Sequence, residues 1–305
     1  MLTATKCLIC EGNSLRSYRA AFAPFIAKRI WNREPFPVEI KKCRRCKFSF
    51  ADTRFEQEEE NRLYADYRGL EYQSMRQSCE PWYTPQFNAR LSTGMMEKRR
   101  APISNIFRDH LPCDIKSVLD FGGDRGDLFA GMVRGASTCV YDISGIPAAA
   151  GVTALSSLDQ CAERKFDLIG CSNVFEHVAY PRKLLAEIKR IARHRTLVFI
   201  EVPSETPFGL RNYAKRSAQE LVLAATRRKV AASLLPFGFL RQVHEHVNFF
   251  SLHSLKKLME VEGFEVLAAG TYPSEGYSFG PYRIAAGKLA WTLSSLWGHP
   301  AKETH

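Results

Sequence analysis

Long apolar runs are missing from this 305-residue chain. None approaches the roughly 18 residues that cross a bilayer, so no membrane span is expected. The opening stretch MLTATKCLIC lacks a basic segment followed by an apolar one, so no secretory leader is expected either, and the two absences together predict a cytoplasmic location. Acidic residues are in short supply, 32 Asp+Glu against 43 Lys+Arg, for a net charge of +11. The excess is uneven: residues 1–50 carry eleven Lys/Arg against three Glu, and residues 205–242 carry seven against two. Such basicity suits nucleic acid, a smaller anionic substrate or a membrane surface, and does not choose among them. Two motifs are absent as well. There is no G-x-G-x-x-G dinucleotide fingerprint and no H-E-x-x-H, the spacing that puts two histidines of a zinc hydrolase on one helix face.

What is present is an ordinary globular composition, 45% apolar and 25% charged, in a chain long enough for one large core and a small appended module. Four of the nine cysteines form two C-x-x-C pairs, Cys7/Cys10 and Cys43/Cys46. Each pair can wrap two thiolates onto one ion, and the two together complete a closed tetrahedral set. The expectation is a zinc ribbon over residues 1–55 whose Zn²⁺ is structural, because four thiolates leave no open position; two redox or incidental pairs are the alternative. Lys41, Lys42, Arg44, Arg45 and Lys47 can offset the charge of four thiolates. The other five cysteines read as small buried hydrophobes.

Residues 56–110 read as helical, opening on the acidic Glu56–Glu60. Tyr64, Tyr67 and Tyr72 with Arg68 and Arg76 bring aromatics and cations together, either as a cap over a ligand or as a core stripe. Then comes the central stretch, SVLDFGGDRGDLFAGM from Ser117 to Met132. An apolar strand ends in Asp120, a glycine cluster follows at Gly122, Gly123 and Gly126, and a helical pattern is read from Asp127. Strand, glycine loop and helix make the first half of a βαβ unit, with a ligand over the strand's C-terminal end. A second strand, Thr138–Tyr141, ends at Asp142, where a carboxylate can accept both hydroxyls of a ribose. Val152–Leu155, Lys165–Cys171 and Thr196–Val202 read as strands three to five, Phe264–Ala268 as the sixth and Tyr282–Ala286 as an antiparallel seventh. Leu184, Leu185, Ile188 and Ile191 have helical spacing after Pro181, and Ser251 caps a further helix that Gly263 ends. Residues 205–242 read as a basic helical insertion: a surface helix pair, a lid over an anionic substrate, or a membrane-surface helix.

The motifs D-x-G-G-x-x-G at 120–126, Asp142, SNVFEHV at 172–178, VHEHVNFFS at 243–251 and GFEV at 263–266 together resemble the class I S-adenosylmethionine (SAM) dependent methyltransferases with an N-terminal zinc-binding domain. Among these, the sugar C-methyltransferases and methyltransferases of polysaccharide clusters are most similar. The resemblance implies an α/β, Rossmann-like seven-stranded sheet over 111–305, with a ribbon at 1–55 and a helical cap at 56–110. It implies SAM held by Asp120, Gly122, Gly123, Gly126, Asp142, Ile143, Ser157 and Asn173. It implies His246 as the base that takes the acceptor's proton, with Glu245 orienting the ring or sharing the proton, His244 in the same turn and His177 as the runner-up base. A turn that merely holds the next helix is the alternative for His244–His246. The implied acceptor is a small, anionic, saccharide-type molecule. An RNA methyltransferase, or a non-catalytic zinc-ribbon protein on a degenerate methyltransferase fold, are the rival readings; the N-P-P-Y motif of base N-methylation is replaced here by Ser172-Asn173-Val174-Phe175. The sugar enzymes carry a further C-terminal domain, whereas the sequence ends soon after the expected seventh strand, so the resemblance carries the acceptor less far than the methyl donor.

Overall fold

The computed structural model describes residues 2–81, 83–205, 241–274, 277–279, 282–284 and 287–296. These fall into two compact units. The first gathers the described residues of 1–88, 176–179 and 205–249; the second gathers those of 89–175, 180–204 and 250–305. The expected divisions at 55 and 110 therefore do not coincide with the compact units, because residues 56–88 belong with the cysteine module.

In the first unit β1 (Leu2–Thr3) pairs with β5 (Thr53–Arg54), while β2 (Leu15–Phe22), β3 (Pro37–Cys43) and β4 (Ser49–Ala51) pair antiparallel. Between β2 and β3 lies α1 (Pro24–Trp31), which starts on a proline and stops at Asn32 in the left-handed conformation. Phe22, Trp31, Phe36 and Phe55 cluster with ring centroids 5.1–5.7 Å apart. Helix α2 (Gln57–Tyr64) begins with a reciprocal cap between Glu56 and Glu59, which gives the acidic run its local reason. Helix α3 is Leu70–Cys79, and α4 (Pro85–His110) runs across the division at 88/89.

The second unit holds β6 (Ser117–Phe121), β7 (Ser137–Tyr141), β8 (Val152–Leu155), α5 (Leu158–Glu163), β9 (Leu168–Ser172), α6 (Pro181–Ile191) and β10 (Leu197–Pro203). The next two strands return to the first unit: β11 (Arg241–Val243) lies parallel to β2 and β12 (Asn248–Phe249) antiparallel to β4, giving the sheet order β11-β2-β3-β4-β12. Helix α7 (Leu252–Val261) follows, capped by Ser251, with Gly263 at φ 82° beyond its end. Then come β13 (Glu265–Ser274), the ribbon β14 (Tyr277–Phe279) and β15 (Tyr282–Ile284), and β16 (Gly287–Ser295). The second unit's seven strands stand in the order β13-β16-β10-β9-β6-β7-β8, all parallel except β16, which is antiparallel to both its neighbours. Numbered along the chain within this sheet, that is 3-2-1-4-5-7-6, the expected α/β Rossmann-like architecture. Ile103 and Phe107 of α4 join Val118, Leu168, Leu197, Phe199 and Leu293 of the strands in one core.

Three expectations need correction. The seventh strand is Gly287–Ser295; Tyr282–Ile284 instead pairs with Tyr277–Phe279. Leu289–Ser295 of that strand are buried on both faces, Thr292, Ser294 and Ser295 included, so the alternation that marks a half-exposed strand is lost. The helix read from Asp127 does not form, and residues 127–135 run in turns. Gly131 and Gly135 take φ of 65° and 76°, and Arg100 donates to the carbonyls of Asp127, Leu128 and Ala130, which a helix would otherwise use. Phe129 from this turn lies where a Cβ on Gly170 would be 2.4 Å from its ring, so the glycine in β9 serves close packing. Finally, the strands flanking His244–His246, which fall within the 111–305 stretch expected to form the seven-stranded sheet domain, join the first unit's sheet instead. The basic insertion lies, apart from residues 205, 241 and 242, outside the described residues.

Candidate functional site

In the second unit the strand order reverses between β6 and β9, which opens a crevice at their carboxyl ends. The chain leaves β6 and turns on Gly122 and Gly126, at φ 70° and 79°, a region that favours glycine. A Cβ on Gly122 would lie 2.6 Å from Val174 Cγ2, on Gly126 2.7 Å from Val152 Cγ1, and on Gly123 2.0 Å from Asp120 Cγ. All three glycines of the motif are thus demanded by close approach.

Asp120 is buried, and neither carboxyl oxygen has a hydrogen-bond partner. Burial pushes its pKa up, Arg99 pulls it down and Asp142 adds to the rise, to about 8. Asp142, just past β7, accepts the backbone N–H of Asp124 on one oxygen and that of Ser144 on the other, each at 2.8 Å. Two bonds fix the carboxylate and leave it lone pairs for further donors. Ile143 beside it is 65% exposed, unusual for a large apolar side chain. Asn173, at φ 55°, donates its N–H to Glu201 O, and its side-chain oxygen is buried without a partner, as is Ser144 Oγ. Ser157 caps α5, accepting from Gln160 N–H at 3.2 Å.

A further network was not foreseen. Arg99 of α4 donates through Nε to Glu201 Oε1 at 2.8 Å and also to Ser172 Oγ, and Tyr272 donates to the second oxygen of Glu201. Glu201 is fully buried in the apolar strand LVFIEVP. That acid was the signal in the sequence, since a buried carboxylate demands a paired cation.

In the first unit the four cysteines come together: Cys7 Sγ lies 3.4 Å from Cys46 Sγ, Cys10 Sγ lies 3.6 Å from Cys43 Sγ, and all four sulfurs are within 4.8 Å of one another. These separations exceed a disulfide, and all four are free thiols. The residues after each pair, Glu11 and Lys47, take φ of 55° and 63°, so the two turns are matching knuckles. The set could hold a metal ion.

The first unit also holds the histidines. His177 and His246 meet edge to face with centroids 4.8 Å apart. His177 Nδ1 is 3.2 Å from the carbonyl of Glu245, and His246 Nδ1 is 3.3 Å from Glu205 Oε1. Burial lowers the His177 pKa, and the neighbouring His246 lowers it further, to about 3. Burial also works to lower that of His246, but Glu205 outweighs it and the pKa rises to about 9. Glu245 does not orient His246 through its carboxylate. That group accepts from Arg76 at 2.9 Å and from the Tyr72 hydroxyl, and Arg76 holds its pKa down to about 2 against burial. The carboxylate at the His246 ring is Glu205, which the reading by motif had missed. Arg76 bonds Glu80 as well, at 2.9 Å, and Glu80 meets His244 Nδ1 at 3.1 Å.

A family model described as a methyltransferase domain matches residues 85–269. The chain belongs to the class I SAM-dependent methyltransferases. Similar solved structures include a SAM-dependent methyltransferase from Anabaena variabilis, 12% identical over 68% of this chain and 90% of that one, with a TM-score of 0.45. The magnesium protoporphyrin IX methyltransferase of Synechocystis, solved with bound SAH, is 16% identical over 68% of this chain and 86% of that one, with a TM-score of 0.40. No curated protein matches the chain. The second unit's residues fit the methyl donor of this family. The orphaned oxygens of Asp120, Asn173 and Ser144 need hydrogen-bond partners, and Asp142 has lone pairs for a ribose. Among the described residues, no helix is long and apolar enough to cross a membrane.

Proposed function

We propose that the enzyme methylates a small, anionic, saccharide-type acceptor, a nucleotide sugar or polysaccharide precursor, with His246 taking the acceptor's proton and Zn²⁺ held by Cys7, Cys10, Cys43 and Cys46. The observation that carries the proposal is the His177–His246 pair, with Glu205 holding the His246 ring. A carboxylate on Nδ1 fixes the ring. Because, against burial, Glu205 also raises the ring's pKa to about 9, Nε2 takes the acceptor's proton only in the deprotonated fraction, so turnover should rise with pH towards that value. Tyr64 and Tyr67 adjoin one another, with centroids 5.5 Å apart, and the partnerless Tyr64 hydroxyl suits a sugar hydroxyl, whereas Tyr72 is fully buried and committed to Glu245. The net charge of +11 favours an anionic acceptor.

Bound SAM supplies a methyl group already activated by its sulfonium. Asp142 and the loop of Gly122, Gly123 and Gly126 hold the donor, with Ile143 offering an apolar surface. Glu205 keeps the His246 ring in one orientation as it receives the proton. The zinc reading rests on spacing: a Zn–S bond of about 2.3 Å puts tetrahedral sulfurs roughly 3.8 Å apart, close to the separations found. Free thiols suit a reducing, cytoplasmic setting.

The test is methyl transfer from labelled SAM to a panel of nucleotide sugars, with RNA and protein as further arms. Label on a nucleotide sugar supports the proposal. Label appearing only on RNA or protein overturns the acceptor assignment.

A further inference from the structure

The cluster that supplies the proposed base has a second property. Glu176, His177 and His246 each offer one ligand atom, and the three atoms lie within 4.8 Å of one another. All three residues belong to the first unit. We infer that they form a site for one divalent transition-metal ion, separate from the four-cysteine set.

Three features of the geometry carry this. First, the donor set is two imidazoles and a carboxylate, which suits Zn²⁺, Mn²⁺, Fe²⁺, Co²⁺ or Ni²⁺ and leaves coordination positions open. Glu176 is 2% exposed, and its Oε1 is 3.8 Å from His177 Nε2. Second, both rings are already oriented through their other nitrogen. The Glu245 carbonyl can only accept, so His177 Nδ1 carries the hydrogen of that bond and Nε2 keeps its lone pair. Glu205 stands at Nδ1 of His246 in the same way. A backbone carbonyl behind one imidazole and a carboxylate behind the other is the support that metal-ligating histidines have. Third, the segments that carry the ligands are clamped together. Val247 and Asn248 donate their N–H groups to the Glu176 carbonyl at 2.9 and 3.0 Å. The fully buried Arg54 donates to the carbonyls of Val178, Ala179 and Val247 and to Asn248 Oδ1. Rigid support of this kind lets ligands converge without an ordering cost at binding.

The inference goes beyond the proposed methyl transfer and stands without it. An ion at this site commits the lone pair of His246, so occupancy by metal and proton acceptance by that ring exclude each other. A loaded site would silence the proposed base until the ion leaves.

Mn²⁺ is the probe, because it is paramagnetic and prefers nitrogen and oxygen to thiolate. Titration of the full chain followed by electron paramagnetic resonance should show saturable binding of one Mn²⁺. Pulsed spectra of the parent should show ¹⁴N coupling from imidazole. Glu205→Ala should weaken binding by about 10–100-fold, as loss of a supporting partner does, and Glu176→Gln by at least as much. Absence of saturable binding at millimolar Mn²⁺, or a bound ion without ¹⁴N coupling, overturns the site. Binding in Glu176→Gln as tight as in the parent does so too. The parent spectrum decides even if a variant fails to fold.

Discussion

The glycine-loop site of the second unit and the histidine cluster of the first are assembled in opposite ways. The former draws its main parts from one stretch, residues 120–144, where strand, turn and next strand are consecutive. The latter collects Tyr72 and Arg76 from a helix, Glu176 and His177 from a loop, and Glu205, Glu245 and His246 from late in the chain. A site made by local backbone geometry stays intact or fails with a few positions. One made by long-range charge pairing depends on every partner being present. The first is therefore expected to lose ligand affinity when broken, and the second to lose turnover or stability.

The largest effect belongs to the cluster. His246→Ala should lower turnover by about 10²–10⁴-fold, the usual contribution of a general base, while SAM affinity holds. Near-normal turnover in that variant, with a collapse in His177→Ala, would move the base to His177 and blunt the contrast between the two sites.

Arg76→Ala should come close behind, on stability. Arg76 bonds both Glu80 and Glu245, whose side chains are almost wholly enclosed, and lies 4.1 Å from the Tyr83 ring centroid. Removing one partner of a buried ion network costs about 3–5 kcal/mol, readable by denaturant unfolding. A loss below about 1 kcal/mol, the scale of an exposed pair, would mean the network is solvated.

A smaller effect should mark the glycine-loop site. The pKa of Asp120 is raised to about 8 from the ordinary carboxylate value of 3.8. Between those values the folded chain holds a proton that the unfolded chain has lost, so this group's contribution to stability falls as pH rises through the window. SAM carries a net positive charge and should pull the pKa back down. Binding near pH 7 should then release up to one proton, seen as buffer-dependent heats in calorimetry. The release should vanish in Asp120→Asn; buffer-independent heats in the parent would contradict it.

The same contrast accounts for what could be read in advance. Asp120, the three glycines and Asp142 were legible because turn stereochemistry and strand ends leave local marks. The four cysteines were legible because two ligands per turn is a local pattern. Glu205 and the turn of Glu245 towards Arg76 and Tyr72 were not, since no spacing in the sequence announces a pairing between residues far apart in the chain. Arg99 was hidden likewise, although the acid in LVFIEVP demanded some partner. The seventh strand was misplaced because a strand buried on both faces does not alternate. The helix at Asp127 was misread because Gly131 and Gly135 turn the chain and Arg100 takes its carbonyls.

Calorimetry of SAM binding to the parent, Asp142→Ala and His246→Ala tests the division of labour most directly. The parent and His246→Ala should bind SAM alike. Asp142→Ala should bind more weakly by about 1–3 kcal/mol, the cost of leaving buried hydroxyls without their acceptor. Equal affinity in Asp142→Ala, or loss of SAM binding in His246→Ala, would contradict the account.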